Sequence, residues 1–569
     1  MNFPPGHAAT ACSMLLAWLA GCGGEPGGSV EEAGEGATAG VETGPAWFAD
    51  ESAARGLTFH HRSGHDERYF FPELMGSGAA LFDMDQDGDL DAFCVQSGDL
   101  ESGPTTPAGH RLFRNDGSGH FEDVTAGTDI ASAHGYGMGV AVGDLNGDGA
   151  PDLYVTQVGP NLLLLGDGAG GFRDASQESG ADDAGWGTSA CLFDYDRDGD
   201  LDIFVANYID WSLAGEQDCN DPSGLPDYCG PTSYDAPSID ALLRNDGEGR
   251  FTDVTMEAGM GSTPGNGLGV VPGDYDGDGW IDLFVANDLN ADRLWTNRGD
   301  GTFVDRGELA GVALSPYGGP RAGMGVDAVD LEGDDDLDLF VVHMAREHDG
   351  LYRNKGRFFV EETARVGISS ETFPMTRFGV GFHDFDADGN LDLFVCNGRV
   401  NLTMAPIIES DAYAEPNSLM RGGSDGRWSA RTALAGPPAS CIRTSRGAAF
   451  GDIDGDGATD VLIINRDAPA QLLRNVLSSG NHWLGVRLVD GGAEALGASA
   501  RIELPTGPQR RECKPSYSYC SSSDPRLHFG LGQADEVPLV KVRWLDGTEE
   551  SFGPFAADRW IELIRGEGT

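Results

Sequence analysis

The chain has 569 residues, with 37 Lys+Arg against 92 Asp+Glu, for a formal charge of −55. Its 85 glycines are about 15% of the chain, roughly twice the usual share. That charge excludes nucleic-acid binding through a basic face. The lack of any apolar run of about 18–20 residues beyond the extreme N-terminus excludes a polytopic membrane protein. Recurrent apolar clusters and 9% aromatic content argue against full disorder.

Residues Ala8 to Ala20 form a short apolar stretch followed by Gly21-Cys22. The run Leu19-Ala20-Gly21-Cys22 looks like a bacterial lipobox, which implies export over residues 1–22 and lipid anchoring at Cys22. An ordinary cleaved signal and a buried N-terminal helix are the alternatives, and the absence of Lys or Arg before the run departs from the usual leader. Residues 23–45 are rich in Gly, Glu and Ala and are read as a flexible tether of about 25–30 Å reach.

From residue 46 to 478 one nonapeptide, D-x-(D/N/E)-x-D-G-x-x-D, recurs seven times. Small apolar stretches such as Gly139-Val140-Ala141-Val142 precede most copies, and β-type runs such as Leu201–Val205 follow. A second phrase follows most loops, as in Leu112-Phe113-Arg114-Asn115 and Leu242-Leu243-Arg244-Asn245, with weaker versions at Leu163 and Leu419. A third phrase, as in Phe121–Thr125 and Phe251–Thr255, follows a Gly/Asn/Asp turn and closes a hairpin. Four short strands per unit, seven times over, predict an all-β, seven-bladed propeller. The first third-phrase copy, Trp47–Asp50, precedes any second phrase, and the last second phrase, Leu472–Asn475, has no third phrase after it. The N-terminal strand is therefore expected to complete the last blade and close the ring.

Each loop gathers oxygen donors at positions 1, 3, 5 and 9, with the carbonyl of position 7 available. The candidate ligands are Asp83, Asp85, Asp87, Asp89 and Asp91; then Asp144, Asn146, Asp148, Ala150 and Asp152; then Asp194, Asp196, Asp198, Asp200 and Asp202. The later loops offer Asp274, Asp276, Asp278, Trp280 and Asp282; Asp330, Glu332, Asp334, Asp336 and Asp338; Asp384, Asp386, Asp388, Asn390 and Asp392; and Asp452, Asp454, Asp456, Ala458 and Asp460. Hard oxygen donors in a flexible loop suit Ca²⁺, for up to seven sites, each with affinity on the order of 10⁻⁴–10⁻³ M. The fifth loop, with Glu332 at position 3 and Asp335 in place of the glycine, is expected to be the weakest. An EF-hand is excluded, because position 12 is always apolar, from Cys94 to Ile463. The bland reading is a set of solvated Asx-turns. Seven filled loops would bring the charge from −55 to −41, so calcium accounts for the placement of many acids but not for the whole excess.

These loops and the Gly-x-Gly-Val strands resemble the FG-GAP repeats of integrin-α-type propellers. Pro72–Gly78 is similar to the start of the cartilage acidic protein family, and Asp524–Gly532 with Val540–Gly547 resembles the ASPIC/UnbV signature. The resemblance implies a secreted or surface calcium-binding propeller without established catalytic residues. Read from its own alternation, as in His482–Leu488 and Val540–Trp544, the segment 479–569 is a small β-rich domain.

Removing the leader and Cys22 leaves eight cysteines, an even number suited to an oxidising compartment. Cys219 with Cys229, and Cys513 with Cys520, are the disulfide candidates; the pairing of Cys94, Cys191, Cys396 and Cys441 stays open. His60, His61 and His65 read as a polar face more than a catalytic group, and Arg298-Gly299-Asp300 reads as a hairpin turn. The favoured function is a binding, scaffolding or adhesion module on the cell envelope, with the insertion Trp211–Pro237 setting specificity for a protein or glycan ligand. A monomer without nucleic-acid partners is expected, touching membrane only through its anchor. No HExxH or paired acid–base motif and no nucleophile elbow supports an enzyme, so a hydrolase acting in the central channel is the runner-up. A purely structural envelope protein is the third reading.

Overall fold

Short strands separated by Asn/Asp/Gly turns assemble into repeated four-stranded antiparallel sheets. The computed structural model describes residues 45–101, 109–403, 405–431 and 442–569. All of these lie in one compact unit, Val41–Thr569. The leader, Cys22 and residues 23–44 of the tether fall outside the described residues, as does Cys441.

Between Phe48 and Asn475 the described residues form seven four-stranded sheets. In each blade the acidic loop joins the first and second strands, as between Gly137–Gly143 and Asp152–Gln157. The first strands meet one another in order around an axis, and Ala79–Phe82 meets Ser445–Gly451 to close the ring. The N-terminal strand Phe48–Asp50 pairs with Gln471–Asn475 in the register Phe48↔Asn475, Ala49↔Arg474, Asp50↔Leu473. This is the expected closure, and it leaves no unpaired edge at the seam.

The Gly-x-Gly-Val strands owe their glycines to crowding at the axis. A Cβ on Gly269 would lie 2.2 Å from the Met324 carbonyl oxygen, and one on Gly325 would lie 2.0 Å from that of Phe378. The third blade carries its long insertion between Asp202–Asn207 and Ala241–Asn245. The insertion holds a two-stranded ribbon, Cys219–Asn220 with Pro226–Asp227, and the Cys219–Cys229 disulfide, whose Cα atoms are 5.2 Å apart. Arg298-Gly299-Asp300 forms the hairpin turn of the fourth blade, where the Arg298 amide donates to the Thr302 carbonyl at 3.0 Å.

Residues 482–564 add two further four-stranded sheets. In one, His482–Asp490 pairs antiparallel with Leu527–Gly532 and parallel with Arg559–Ile564. In the other, Ser499–Leu504 lies between Gly507–Glu512 and Val540–Arg543. The chain between these sheets dips into the propeller axis. The Val140 amide donates to the Cys520 carbonyl at 3.1 Å, Val326 and Ser518 exchange backbone bonds of 3.0 and 2.7 Å, and the Leu81 amide donates to Ser522 at 3.1 Å. From the opposite end the short helix Phe71–Met75 enters the axis, and the Tyr519 hydroxyl donates to the Met75 carbonyl at 3.2 Å. The buried Arg446 anchors that helix with bonds of 3.1 and 2.9 Å to the Leu74 carbonyl.

This dip corrects one cysteine expectation. Cys513 and Cys520 are both buried free thiols. Cys513 stays with the C-terminal sheets, bonded through its backbone to Gly497 and Ala498, whereas Cys520 sits at the inserted tip against the first strands of the second and third blades. Cys94, Cys191 and Cys396 are also buried free thiols.

Candidate metal centre

The acidic loops share one internal wiring. The position 1 carboxylate accepts the amide of position 6 in every loop, at 3.0 Å for Asp83, 2.8 Å for Asp144, 3.1 Å for Asp194 and 2.7 Å for Asp384. The chain at position 6 is left-handed throughout, which glycine tolerates; in the fifth loop Asp335 takes φ 75° instead. The position 5 carboxylate accepts the amide of position 7, as from Ala150, Trp280 and Ala458 at 2.9, 2.9 and 3.0 Å. Position 4 is left-handed as well, at Gln86, Arg197 and Ala387 and at a glycine in the other four loops. That requirement was visible as four glycines in seven copies.

Position 9 has a second duty. In all seven loops this aspartate is buried, and each of its oxygens accepts a backbone amide. One bond comes from position 2 of its own loop and the other from the end of the second phrase. For Asp282 these are Tyr275 at 3.1 Å and Asn297 at 2.8 Å; for Asp460 they are Ile453 at 3.1 Å and Asn475 at 2.7 Å. The Asn side chains of the second phrase then reach across to the preceding blade. Asn297 donates to the Tyr195 carbonyl at 2.8 Å, and Asn354 donates to that of Tyr275 at 2.9 Å. The asparagine ends the phrase in five of the seven blades, with Gly166 and Gly422 in the other two, and that recurrence was the signal of a blade-to-blade clasp.

Positions 1, 3 and 9 converge in five loops. Oxygens of Asp83, Asp85 and Asp91 lie within 4.8 Å of one another, as do those of Asp194, Asp196 and Asp202; of Asp274, Asp276 and Asp282; of Asp384, Asp386 and Asp392; and of Asp452, Asp454 and Asp460. The second loop has Asn146 in place of the third carboxylate, and its amide donates to Asp148 at 3.0 Å. In the fifth loop basic side chains take up the acids: Arg353 bonds Asp338 at 2.7 Å and Glu332 at 3.2 Å, and Lys355 bonds Glu332 at 2.6 Å. Against the upward push of burial, these two cations hold Glu332 below the usual carboxylate range. The poor fifth loop thus has an internal substitute for a metal.

Burial pushes the position 9 carboxyls up, to about 7 for Asp91 and Asp152 and about 8 for Asp202 and Asp282. Asp384 is pushed to about 8 by burial and then by its neighbours Asp388 and Asp386. Such carboxylates resist being charged together unless a cation joins them. The residues fit one. Asp85, Asp194, Asp196 and Asp454 each turn a buried Oδ1 with no hydrogen-bond donor, and every side-chain donor in the five triads is a hard carboxylate oxygen, the set that divalent calcium takes.

The first three loops face a cleft of about 510 Å³, also lined by Arg487, Arg526 and Trp544 of the C-terminal segment. The histidines expected to form a polar face divide: His61 is buried against Ser97 at 2.9 Å, pushed down to about 4 chiefly by burial, and His65 lies 3.0 Å from Glu73.

Comparison with known proteins bears on this architecture. The model of the FG-GAP-like repeat matches residues 83–155, 146–205, 221–285, 274–341 and 384–463, more than half of the chain. That of ASPIC and UnbV matches residues 490–569. Cartilage acidic protein 1 of Homo sapiens is 25% identical over 522 residues, covering 84% of this chain and 70% of the relative. The Xenopus tropicalis protein is 24% identical over 511 residues, covering 84% and 71%. Among solved structures, the BP39L lectin from Burkholderia pseudomallei aligns with a TM-score of 0.41 at 13% identity, over 71% of this chain and 96% of that one. An Agrocybe aegerita lectin aligns with a TM-score of 0.39 at 15% identity, over 70% and 94%. Among the described residues no helix is long and apolar enough to cross a membrane.

Proposed function

The chain belongs to the FG-GAP-like repeat family and carries a C-terminal ASPIC and UnbV domain, and from that premise we propose an exported, envelope-anchored calcium-binding propeller that serves as a binding or adhesion module. Calcium holds the acidic loops, and the lipobox cysteine Cys22 tethers the domain. The ligand is a protein or glycan met by the end of the propeller opposite the acidic loops.

One observation carries this reading: the two ends of the propeller are unequal. The acidic end is overlaid by the C-terminal sheets, and the axis is filled from both sides by Phe71–Met75 and by the chain around Tyr519. The opposite end carries the insertion, where Tyr228 packs on His65, Tyr69 and Tyr413 at centroid distances of 5.6, 5.0 and 5.8 Å, and Leu225 is 64% exposed. A stapled loop on a rigid scaffold is a common way to present a recognition surface. A filled axis favours binding over a reaction carried out in the channel.

The test is a screen of the purified protein against glycans and envelope proteins, with and without Ca²⁺. Saturable binding that weakens at least about tenfold in Leu225→Asp or Trp211→Ala, the effect of one lost interface anchor, supports the reading. Binding that both variants leave unchanged places the ligand elsewhere. Turnover of a substrate, lost with a single Asp or His change outside the loops, would support the enzyme reading.

A further inference from the structure

We propose that the sixth acidic loop holds its ion beneath the C-terminal domain, so that release there requires the domain to lift, whereas the first and fourth loops exchange with solvent directly. The proposal rests on the calcium reading above.

The five carboxylate triads differ in cover. Asp384, Asp386 and Asp392 are 3%, 6% and 0% exposed, the one triad among the described residues with all three members buried. The first loop has Asp83 and Asp85 half-buried, and the fourth has Asp276 exposed.

The cover over the sixth loop is C-terminal. The strand Leu527–Gly532 lies across it, and the Gly532 amide donates to the Ala387 carbonyl at 2.9 Å. A Cβ on Gly530 would fall 1.8 Å from Asp384 Oδ2, so only glycine lets this strand approach the carboxylate. Asn481, in the segment leading into the domain, donates to the Asp386 carbonyl at 2.8 Å. Gln509 holds the strand from its other side, donating to the Gly530 carbonyl at 2.7 Å. On the blade side Arg421 bonds Asp386 at 2.7 Å and Asp388 at 2.8 Å. Arg421 on the blade side and the buried Arg511 on the C-terminal side, whose charge acts on Asp384, together face four carboxylates, Asp384, Asp386, Asp388 and Asp392, so two cations oppose four acids and leave a surplus that a divalent ion matches.

An ion in the sixth loop fixes the Asp384–Asp392 turn to which the strand is bonded. The seated strand, in turn, shuts the path from the ion to water. Two events sharing one set of contacts favour each other reciprocally. The His528-Phe529-Gly530-Leu531-Gly532 segment thereby acts as a lid, which gives its glycine at 530 a physical reason.

The experiment is stopped-flow release of Ca²⁺ from the loaded full chain into excess fluorescent chelator. Two phases are expected, the slow one carrying about one ion. Asn481→Ala should speed the slow phase about tenfold, the scale of one lost hydrogen bond, and leave the fast phase unchanged. Gly530→Ala should speed it further; because that variant can also perturb folding, the milder Asn481→Ala is the deciding one. A single release phase, or a slow phase that Asn481→Ala does not move, overturns the lid. If the chain binds no Ca²⁺ at all, the calcium reading itself fails, and the lid fails with it.

Discussion

At the scale of residues, the position 9 aspartates join two roles that a sequence pattern displays as one. Asp282 can serve a metal, yet both of its oxygens also accept buried backbone amides. Asp282→Ala strands those two donors and should cost about 3 kcal/mol of stability even without metal, read by urea denaturation in EDTA. An unchanged midpoint would reduce Asp282 to a ligand alone. Burial also gives these carboxyls a pH signature. The metal-free folded chain keeps protons on Asp91, Asp152, Asp202, Asp282 and Asp384 that the unfolded chain has released, since their pKa is raised to about 7 or 8. A folded state that binds more protons than the unfolded one loses stability as pH rises. In EDTA the melting temperature should fall between about pH 7 and about pH 8, above the range in which the unfolded chain protonates its histidines. Saturating Ca²⁺ should remove that slope, because the cation favours the charged form. A rising melting temperature over the same interval contradicts the assignment. The convergence of carboxylates at positions 1, 3 and 9 and the departure of the fifth loop were legible because acids and a missing glycine recur, or fail to recur, at fixed spacing. The Arg353 and Lys355 contribution was not, since those cations sit on a different strand from the acids they neutralise.

At the scale of elements, each blade announces itself through local signals: turn residues, alternating strands and an acidic loop. The closure was legible from phase alone, as a strand phrase lacking its partner at each end of the repeat. Phe48 is its keystone, fully buried with its ring 5.2 Å from Phe385 and 5.9 Å from Phe394. Phe48→Ala should cost about 3–5 kcal/mol and loosen the seam, seen as faster hydrogen exchange in Gln471–Asn475. A loss under about 1 kcal/mol would mean that the ring closes without this strand. The insertion in the third blade was legible as a departure from the repeat, and its Cys219–Cys229 bridge as two cysteines within a Pro/Gly/Asp-rich stretch. The Cys513–Cys520 pairing failed because nearness in sequence carried the expectation, while packing at the axis drew Cys520 into the propeller.

For the whole molecule, the axial plug was the least legible feature. Ser516–Ser523 has no periodic pattern, and its partners lie in propeller strands far off in the sequence, from Phe450, 73 residues from Ser523, to Ala79, 442 residues from Ser521. Its effect is to make the C-terminal segment part of the propeller and not an appendage. The chain's charge also finds its arrangement here. Five divalent ions, ten positive charges, would bring −55 to −45, so the filled triads relieve the most crowded acids while the outer surface stays strongly negative. The central claim is that metal in the acidic loops holds this ring together. It is tested most directly by stripping the full chain with EDTA and following its melting temperature as Ca²⁺ is returned. The account predicts a low melting temperature that climbs with Ca²⁺ concentration, each site adding about 2.7 kcal/mol at a hundredfold excess over its Kd. A melting temperature that neither EDTA nor Ca²⁺ moves would contradict it.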